Sequence, residues 1–315
     1  MTSKESPQDD ALEDIHEWIS SKVSVHGEIR QVHKQPWSTV FVVGSDEGKL
    51  FFKETSATLS HEASLTFELS QIMPDRLPEL IAFEADRNWL LMRDAGDTLR
   101  SITKNDGTLE RWEISLHQYA ELQIEASKHI DRLASTGCFD RRMSTFLVDF
   151  KRLIEEDIPL LREDRRKLRQ LASTFDETFS ELQSCGIPNT IHHDDFHDAN
   201  VFVKGKRTTF ADWGESAIAH PFLTMTIVQR SAAYTLGIHT TSPEIENLMS
   251  GYLRCFDKFA DSKDTAKALS LAKPLGKASR ALTWFTVAKD LEGKDRDSAK
   301  KSAAGWAIAL FDDEV

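Results

Sequence analysis

The chain has 315 residues, 40% hydrophobic and 29% charged, the balance of a soluble globular protein with length enough for one large domain or two lobes. A formal net charge of −12 argues against a nucleic-acid-binding face, which needs clustered Lys and Arg, and permits a cationic small substrate. The longest apolar runs fall short of a membrane span, "MTSKESPQDD" has no secretion-signal core, and Cys138, Cys185 and Cys255 lack metal-type spacing; the expectation is a cytoplasmic protein with free thiols, away from membranes and monomeric by default.

Along the chain, Leu12, Ile15, Trp18 and Ile19 recur at helical spacing and predict a short amphipathic helix over 11–20. Strand grammar follows: "STVFVV" and "KLFFKE", rich in β-branched and aromatic residues, flank the turn cluster "GSDEG" and predict a hairpin. "LSHEASLTFELSQIM" is helical and stops at the prolines of "PDRLPE". "LIAFEADRNWLLMRDAG" supplies two more strands around "EADRN". Beyond Leu99 the pattern is mainly helical, with Leu116, Tyr119, Ala120, Gln123, Ala126, Ile130 and Leu133 on one stripe. Further helices are expected over 143–161, over 165–182, from Ser242 with Pro243 in the first position, and around Leu271, Phe285 and Trp306. This run is interrupted once, by "IHHDDFHDANVFVKGKRTTFADW": a polar loop, a strand, a tight turn and a second strand.

That interruption has the makings of a phosphoryl-transfer site. A hairpin of this length returns Asp212 beside Asn200, two oxygen ligands of the kind Mg²⁺ takes alongside phosphates. Asp195 precedes them and is placed to accept a hydroxyl proton. Lys53, at the end of the apolar strand "LFF", is a candidate phosphate contact, and Glu62 on the next helix can orient it; Glu68, on the same helix, is the rival. A lysine, a glutamate and a remote Asp, Asn and Asp form the kinase order, in which positioning and charge neutralisation do most of the work.

His193, Asp195, His197 and Asn200 form H-x-D-x-H-x-x-N, and "ADW" follows at Asp212. With "PWSTVFVV", "FFKE", "HEASLTFEL" and "NWLLMRDAG", this resembles the aminoglycoside phosphotransferase and choline kinase-like family, over about residues 23–286. The resemblance implies an α+β, two-lobed protein-kinase-like fold. A tail and helix (1–22) would precede a nucleotide-binding lobe with an antiparallel sheet and one helix (23–93), followed by a helical lobe carrying the catalytic loop and substrate site (94–315). It implies ATP and Mg²⁺ as cofactors, Asp195 as catalytic base, Asn200 and Asp212 as metal ligands, and Lys53 with Glu62 at the phosphates. Leu91, Met92 and Arg93 would meet the adenine through backbone groups. His193, His197 and Asp198 either contact substrate or metal or brace the loop.

Departures from the family pattern are also visible. Asp194 stands where the family often has glycine; it would either raise the Asp195 pKa by like-charge repulsion or point to solvent. No glycine-rich loop precedes Lys53, so "QPWSTV" leaves backbone amides and the hydroxyls of Ser38 and Thr39 as the phosphate cradle. Trp213, after the metal aspartate, favours a small-molecule substrate over a protein. The expected activity is transfer of the ATP γ-phosphate to a small-molecule hydroxyl. Asp198, Glu215 and the overall acidity lean toward a cationic acceptor such as an aminoglycoside or choline-like compound. Two other readings stay open: a metal-dependent hydrolase built on His192, His193, Asp194, Asp195 and His197, and a kinase-shaped nucleotide-binding module without turnover.

Overall fold

The structure, a computed structural model, describes residues 7–312, with side chains from Leu12 onward. Helix α1 (Pro7–Ser20) leads into strands β1 (Arg30–Gln35), β2 (Ser38–Ser45) and β3 (Gly48–Thr55). Helix α2 (His61–Ile72) separates these from β4 (Leu80–Glu84) and β5 (Trp89–Arg93). The five strands form one antiparallel sheet in the order β1-β2-β3-β5-β4. Alternation along β2 and β3 turns Phe41, Val43, Leu50 and Phe52 into a small core. Helix α1 closes that core, and Trp18 meets the rings of Phe52 and Trp89 edge-on at 5.8 and 5.5 Å; the tail expected before it lies largely outside the described residues.

A short link carries the chain into the helical lobe. There β6 (Asp97–Thr98), α3 (Leu99–Asp106), α4 (Glu110–Ala126), α5 (Ile130–Ala134), β7 (Phe139–Asp140), α6 (Met143–Glu155), α7 (Arg162–Ala172) and α8 (Phe175–Ser184) follow in order. Next come β8 (Thr190–His192), β9 (Val201–Lys204), β10 (Arg207–Phe210), β11 (Ala217–Ala219), α9 (Met225–Leu236), α10 (Pro243–Arg254), α11 (Ser262–Val287) and α12 (Gly293–Ile308). The stripe read on α4 is its buried face, with Leu116, Tyr119, Ala120, Gln123 and Ala126 all in the core. The helix expected over 165–182 is two, because the chain turns at Ser173–Thr174 between α7 and α8.

Close backbone approaches set the frame around the site. Gly96, at φ 103°, lies where an added Cβ would sit 2.6 Å from the Val203 carbonyl oxygen, so the inter-lobe link can lie against β9 only without a side chain. Gly276 in α11 is equally confined: a Cβ there would come within 2.6 Å of the Leu223 carbonyl and 2.4 Å of the Thr226 hydroxyl. This contact seats α11 against the segment from Leu223 to Thr226. No described helix is long and apolar enough to cross a membrane, and the three cysteines are free thiols.

Candidate active site

Each end of the site rests on a regular element. Register places Lys53 of β3 between Val40 and Leu90 in the middle of the small sheet, and α2 carries Glu62 in its first turn. The Lys53 ammonium donates to Glu62 Oε1 at 2.7 Å and to Asp212 Oδ1 at 2.6 Å. Burial opposes the charge on Lys53, but Asp212 and Glu62 outweigh it and raise its pKa. Glu62 Oε1 also accepts the Trp213 backbone N–H at 3.1 Å, tying the small-lobe helix to the segment after Asp212. Glu68, the rival, pairs with Arg132 at the surface instead.

The β9–β10 hairpin closes as its spacing requires. The Ala211 N–H donates to the Asn200 carbonyl at 3.0 Å, which sets Asn200 and Asp212 side by side at the mouth of β9 and β10. Asn200 Nδ2 donates to the Asp195 carbonyl at 3.1 Å, and its Oδ1 accepts no hydrogen bond among the described residues. Asp212 adopts a left-handed backbone, φ 69° and ψ 59°, which its short polar side chain tolerates better than most.

His193 is buried. It donates from Nε2 to the Ala211 carbonyl at 3.0 Å and packs on the Trp213 ring at 4.8 Å. Burial lowers its pKa to about 4, so it stays neutral as a brace between the two halves of the hairpin. Asp198 is fully buried and braces as well: its carboxylate takes Arg100 Nε at 2.6 Å and the Thr235 hydroxyl, and its N–H reaches Ser231 Oγ at 3.1 Å. Neither contacts ligand space. His197 does, and its Nε2 lies 3.3 Å from Asp195 Oδ2.

Asp194 does neither of the things expected of it. It is buried, accepting from His192 Nε2 at 2.7 Å and from the Thr283 hydroxyl at 2.6 Å. Burial pushes its pKa up, but the His192 bond and Arg280 outweigh this and hold it at about 2. Asp195 is also lowered rather than raised: against the burial that opposes its charge stand Arg280, with Nη2 at 3.2 Å, and His197.

Arg280 is the residue that sequence reasoning missed. It rises from α11, buried, into three carboxylates: Asp195, Asp194 at 3.6 Å and Glu215 in direct contact. Burial and the neighbouring aspartates push the Glu215 carboxyl up to about 7 despite Arg280. Glu215 is therefore the group of this cluster that takes a proton near neutrality. A cation on a helix face that also carries Leu275, Ala278, Ala281 and Leu282 was the available signal. Tyr119 was read only as core; its hydroxyl accepts the His193 N–H at 3.0 Å and so supports the loop from α4.

Lys53, Ser38, Met92, Arg93, Asp195, His197, Asn200 and Asp212 line one cavity of about 420 Å³ between the lobes. Thr39 and Leu91 do not face it: Thr39 alternates away on β2, and Leu91 is core, flanked by Phe52 and Ala82 in the sheet. On the link, the N–H groups of Arg93, Asp94 and Gly96 are taken by Glu79 O, Lys49 O and Asp94 Oδ1. The N–H of Ala95, which also lines the cavity, has no bond among the described residues.

The histidines do not converge on a metal. Both ring nitrogens of His192 are engaged, by Thr224 and Asp194, and no group of His, Cys, Asp or Glu among the described residues has the arrangement of a multi-ligand centre. The geometry thus gives no support to the hydrolase reading.

A five-stranded sheet with one helix set over a helical lobe, with a lysine, a glutamate and a polar loop and hairpin at the cleft, is the two-lobed kinase-like architecture in the form found in small-molecule phosphotransferases. No protein-family model and no curated protein matches the sequence, but solved structures match the fold. Choline kinase from Cryptosporidium parvum Iowa II aligns over 94% of this chain and 94% of its own, at 13% identity and a TM-score of 0.62. The GDP complex of wild-type aminoglycoside 2'-phosphotransferase-IIIa aligns over 95% and 98%, at 14% and 0.61. Plasmodium vivax ethanolamine kinase covers 89% and 81%, at 12% and 0.59.

Proposed function

We propose that the protein is an ATP- and Mg²⁺-dependent phosphotransferase that moves the γ-phosphate to a hydroxyl of a small molecule. The observation that carries this reading is the Lys53 ammonium, held between Glu62 and Asp212 in the cavity that Asp195 and Asn200 also line. A hydrolase at the histidine cluster would have no use for that lysine.

In this reading the adenine lies against Val40, Phe51 and Phe202 and is anchored by the open N–H of Ala95 beside Met92 and Arg93. Ser38 and the backbone of the β1–β2 turn lie over the phosphates, and Lys53 neutralises charge as it grows on the leaving group. Asn200 Oδ1 and Asp212 would hold Mg²⁺; a pair of hard oxygen donors fits that ion, which keeps water and phosphate in its remaining positions. When bound, it supplies charge stabilisation at the bridging phosphate oxygens. Asp195, ionised throughout the neutral range, orients the acceptor hydroxyl and takes its proton as the phosphoryl group transfers. Arg280 and His197 fix the position of its carboxylate.

The test is thermal unfolding with ATP, with and without Mg²⁺, for the wild type, Lys53→Ala and Asp212→Ala. Ligand at about 100 times its Kd stabilises the native state by about 2.7 kcal/mol. The expected pattern is a rise in Tm with ATP, deepened by Mg²⁺ and weakened in both variants. A wild type indifferent to nucleotide overturns the proposal.

A further inference from the structure

Beyond the nucleotide cavity lies a second one, of about 650 Å³, lined by His197, Ile227, Arg230, Tyr234, His239 and Asp312 among others. His197 is the residue common to both cavities, and it touches Asp195. On the phosphotransferase reading, on which this inference rests, a molecule in the second cavity presents its hydroxyl to the base past His197.

The wall of this cavity has a fixed position relative to the base. Arg230 and Tyr234 stand one turn apart on α9, both exposed. The same helix is fastened to the catalytic loop through Asp198, which bonds Ser231 and Thr235. The Arg230 guanidinium lies over the Trp306 ring, 4.9 Å from its centroid. It has no carboxylate within ion-pair distance among the described residues.

Among the described residues, the buried carboxylates around the loop are already paired. Asp198 is buried against Arg100, and Asp194 against His192 and Thr283. Glu215 is buried against Arg280, and Asp195 is the base. The acid left on the lining is Asp312, set against Arg230 and two imidazoles. The lean toward a cationic acceptor drawn from Asp198, Glu215 and overall acidity draws no support from this lining, because net charge says little about the local field in a cleft.

We infer that the acceptor is an anionic hydroxyl compound, its carboxylate or phosphate held by Arg230 while its hydroxyl faces Asp195. A planar guanidinium pinned on an aromatic face is suited to bidentate recognition of either group. His239 lies on the same lining, and Tyr234 offers an apolar face for the carbon skeleton.

The test uses small hydroxyl probes matched in size and differing in charge: glycerate and glycerol 3-phosphate, glycerol, and ethanolamine and choline. Kanamycin is added as a polycation. Binding to the full-length wild type and to Arg230→Ala and Arg230→Glu is followed by ligand-observed NMR, and phosphorylation by ADP release. The anionic probes are expected to bind the wild type at least tenfold more tightly than glycerol or the amines. Arg230→Ala should erase that preference and Arg230→Glu invert it; whether glycerate or glycerol 3-phosphate binds more tightly separates a carboxylate from a phosphate acceptor. Amines bound as well as or better than the anions, no discrimination by charge, or a preference that survives Arg230→Ala would overturn the inference. The Mg²⁺–ATP thermal shift of the wild type separates the two failures: a normal shift with no anion preference rejects this acceptor class alone, and no shift rejects the phosphotransferase reading.

Discussion

Replacing Arg280 by methionine removes one buried cation from three carboxylates. Its contact with Asp195 at 3.2 Å corresponds to about 5 kcal/mol at an effective dielectric of about 20, and that with Asp194 at 3.6 Å to a similar amount. Desolvation of the guanidinium, several kcal/mol, opposes both, and breaking a buried pair by removing one partner costs about 3–5 kcal/mol net. Urea unfolding followed by tryptophan fluorescence reads this directly, since Trp284 and Trp306 lie against Arg280. The double variant Arg280→Met/Asp194→Asn should recover part of the loss, because the fully buried carboxylate that stays charged without its cation is then neutral. The coupling between the two sites should exceed about 0.5 kcal/mol, as residues in one network do. A single-variant cost below about 1 kcal/mol, or a double variant no more stable than the single, would refute the account of the cluster as one charge-balanced unit.

Glu215→Gln alone should change how stability depends on pH. Glu215 rises from its ordinary 4.5 to about 7 in the fold. Between those values the folded chain keeps a proton that the unfolded chain has released, so the contribution is complete below about pH 4.5 and is lost as pH rises through 7. The loss is about 3 kcal/mol; unfolding at pH 5 and pH 8 should show a smaller difference in the variant than in the wild type, and an unchanged difference would assign the titration elsewhere. Gly276→Ala should destabilise by about 1–3 kcal/mol as an overpacked contact, because α11 must move from the Leu223 carbonyl; an unaltered urea midpoint would show that the helix yields freely.

The parts of the site legible in the sequence were those encoded locally. The lysine at the end of an apolar strand, the glutamate in the first turn of the next helix, and the loop-strand-turn-strand from Ile191 to Trp213 each follow from a short run of residues. The structure brings Lys53, Glu62 and Asp212 into contact across 159 positions of sequence. Arg280, Thr283 and Arg230 were not legible, because helix periodicity reports which face is buried and says nothing of what that face meets. The three-stranded sheet β7-β11-β8 was also unread, since strands of two or three residues carry no alternation to detect. Asp194 was misjudged for a related reason: its neighbour in sequence is the base, but its neighbours in space are His192, Thr283 and Arg280.

The lysine bridge between Glu62 and Asp212 also bears on the order in which ligands arrive. Lys53 neutralises Asp212, so a divalent ion that competes for this carboxylate alone must displace an ammonium and gains little. A metal entering together with phosphates offers Lys53 a substitute anion and Asp212 a substitute cation in one exchange. On the phosphotransferase reading, the lysine bridge screens the cleft against stray cations, and its natural ligand is the metal–nucleotide complex taken up as a single body.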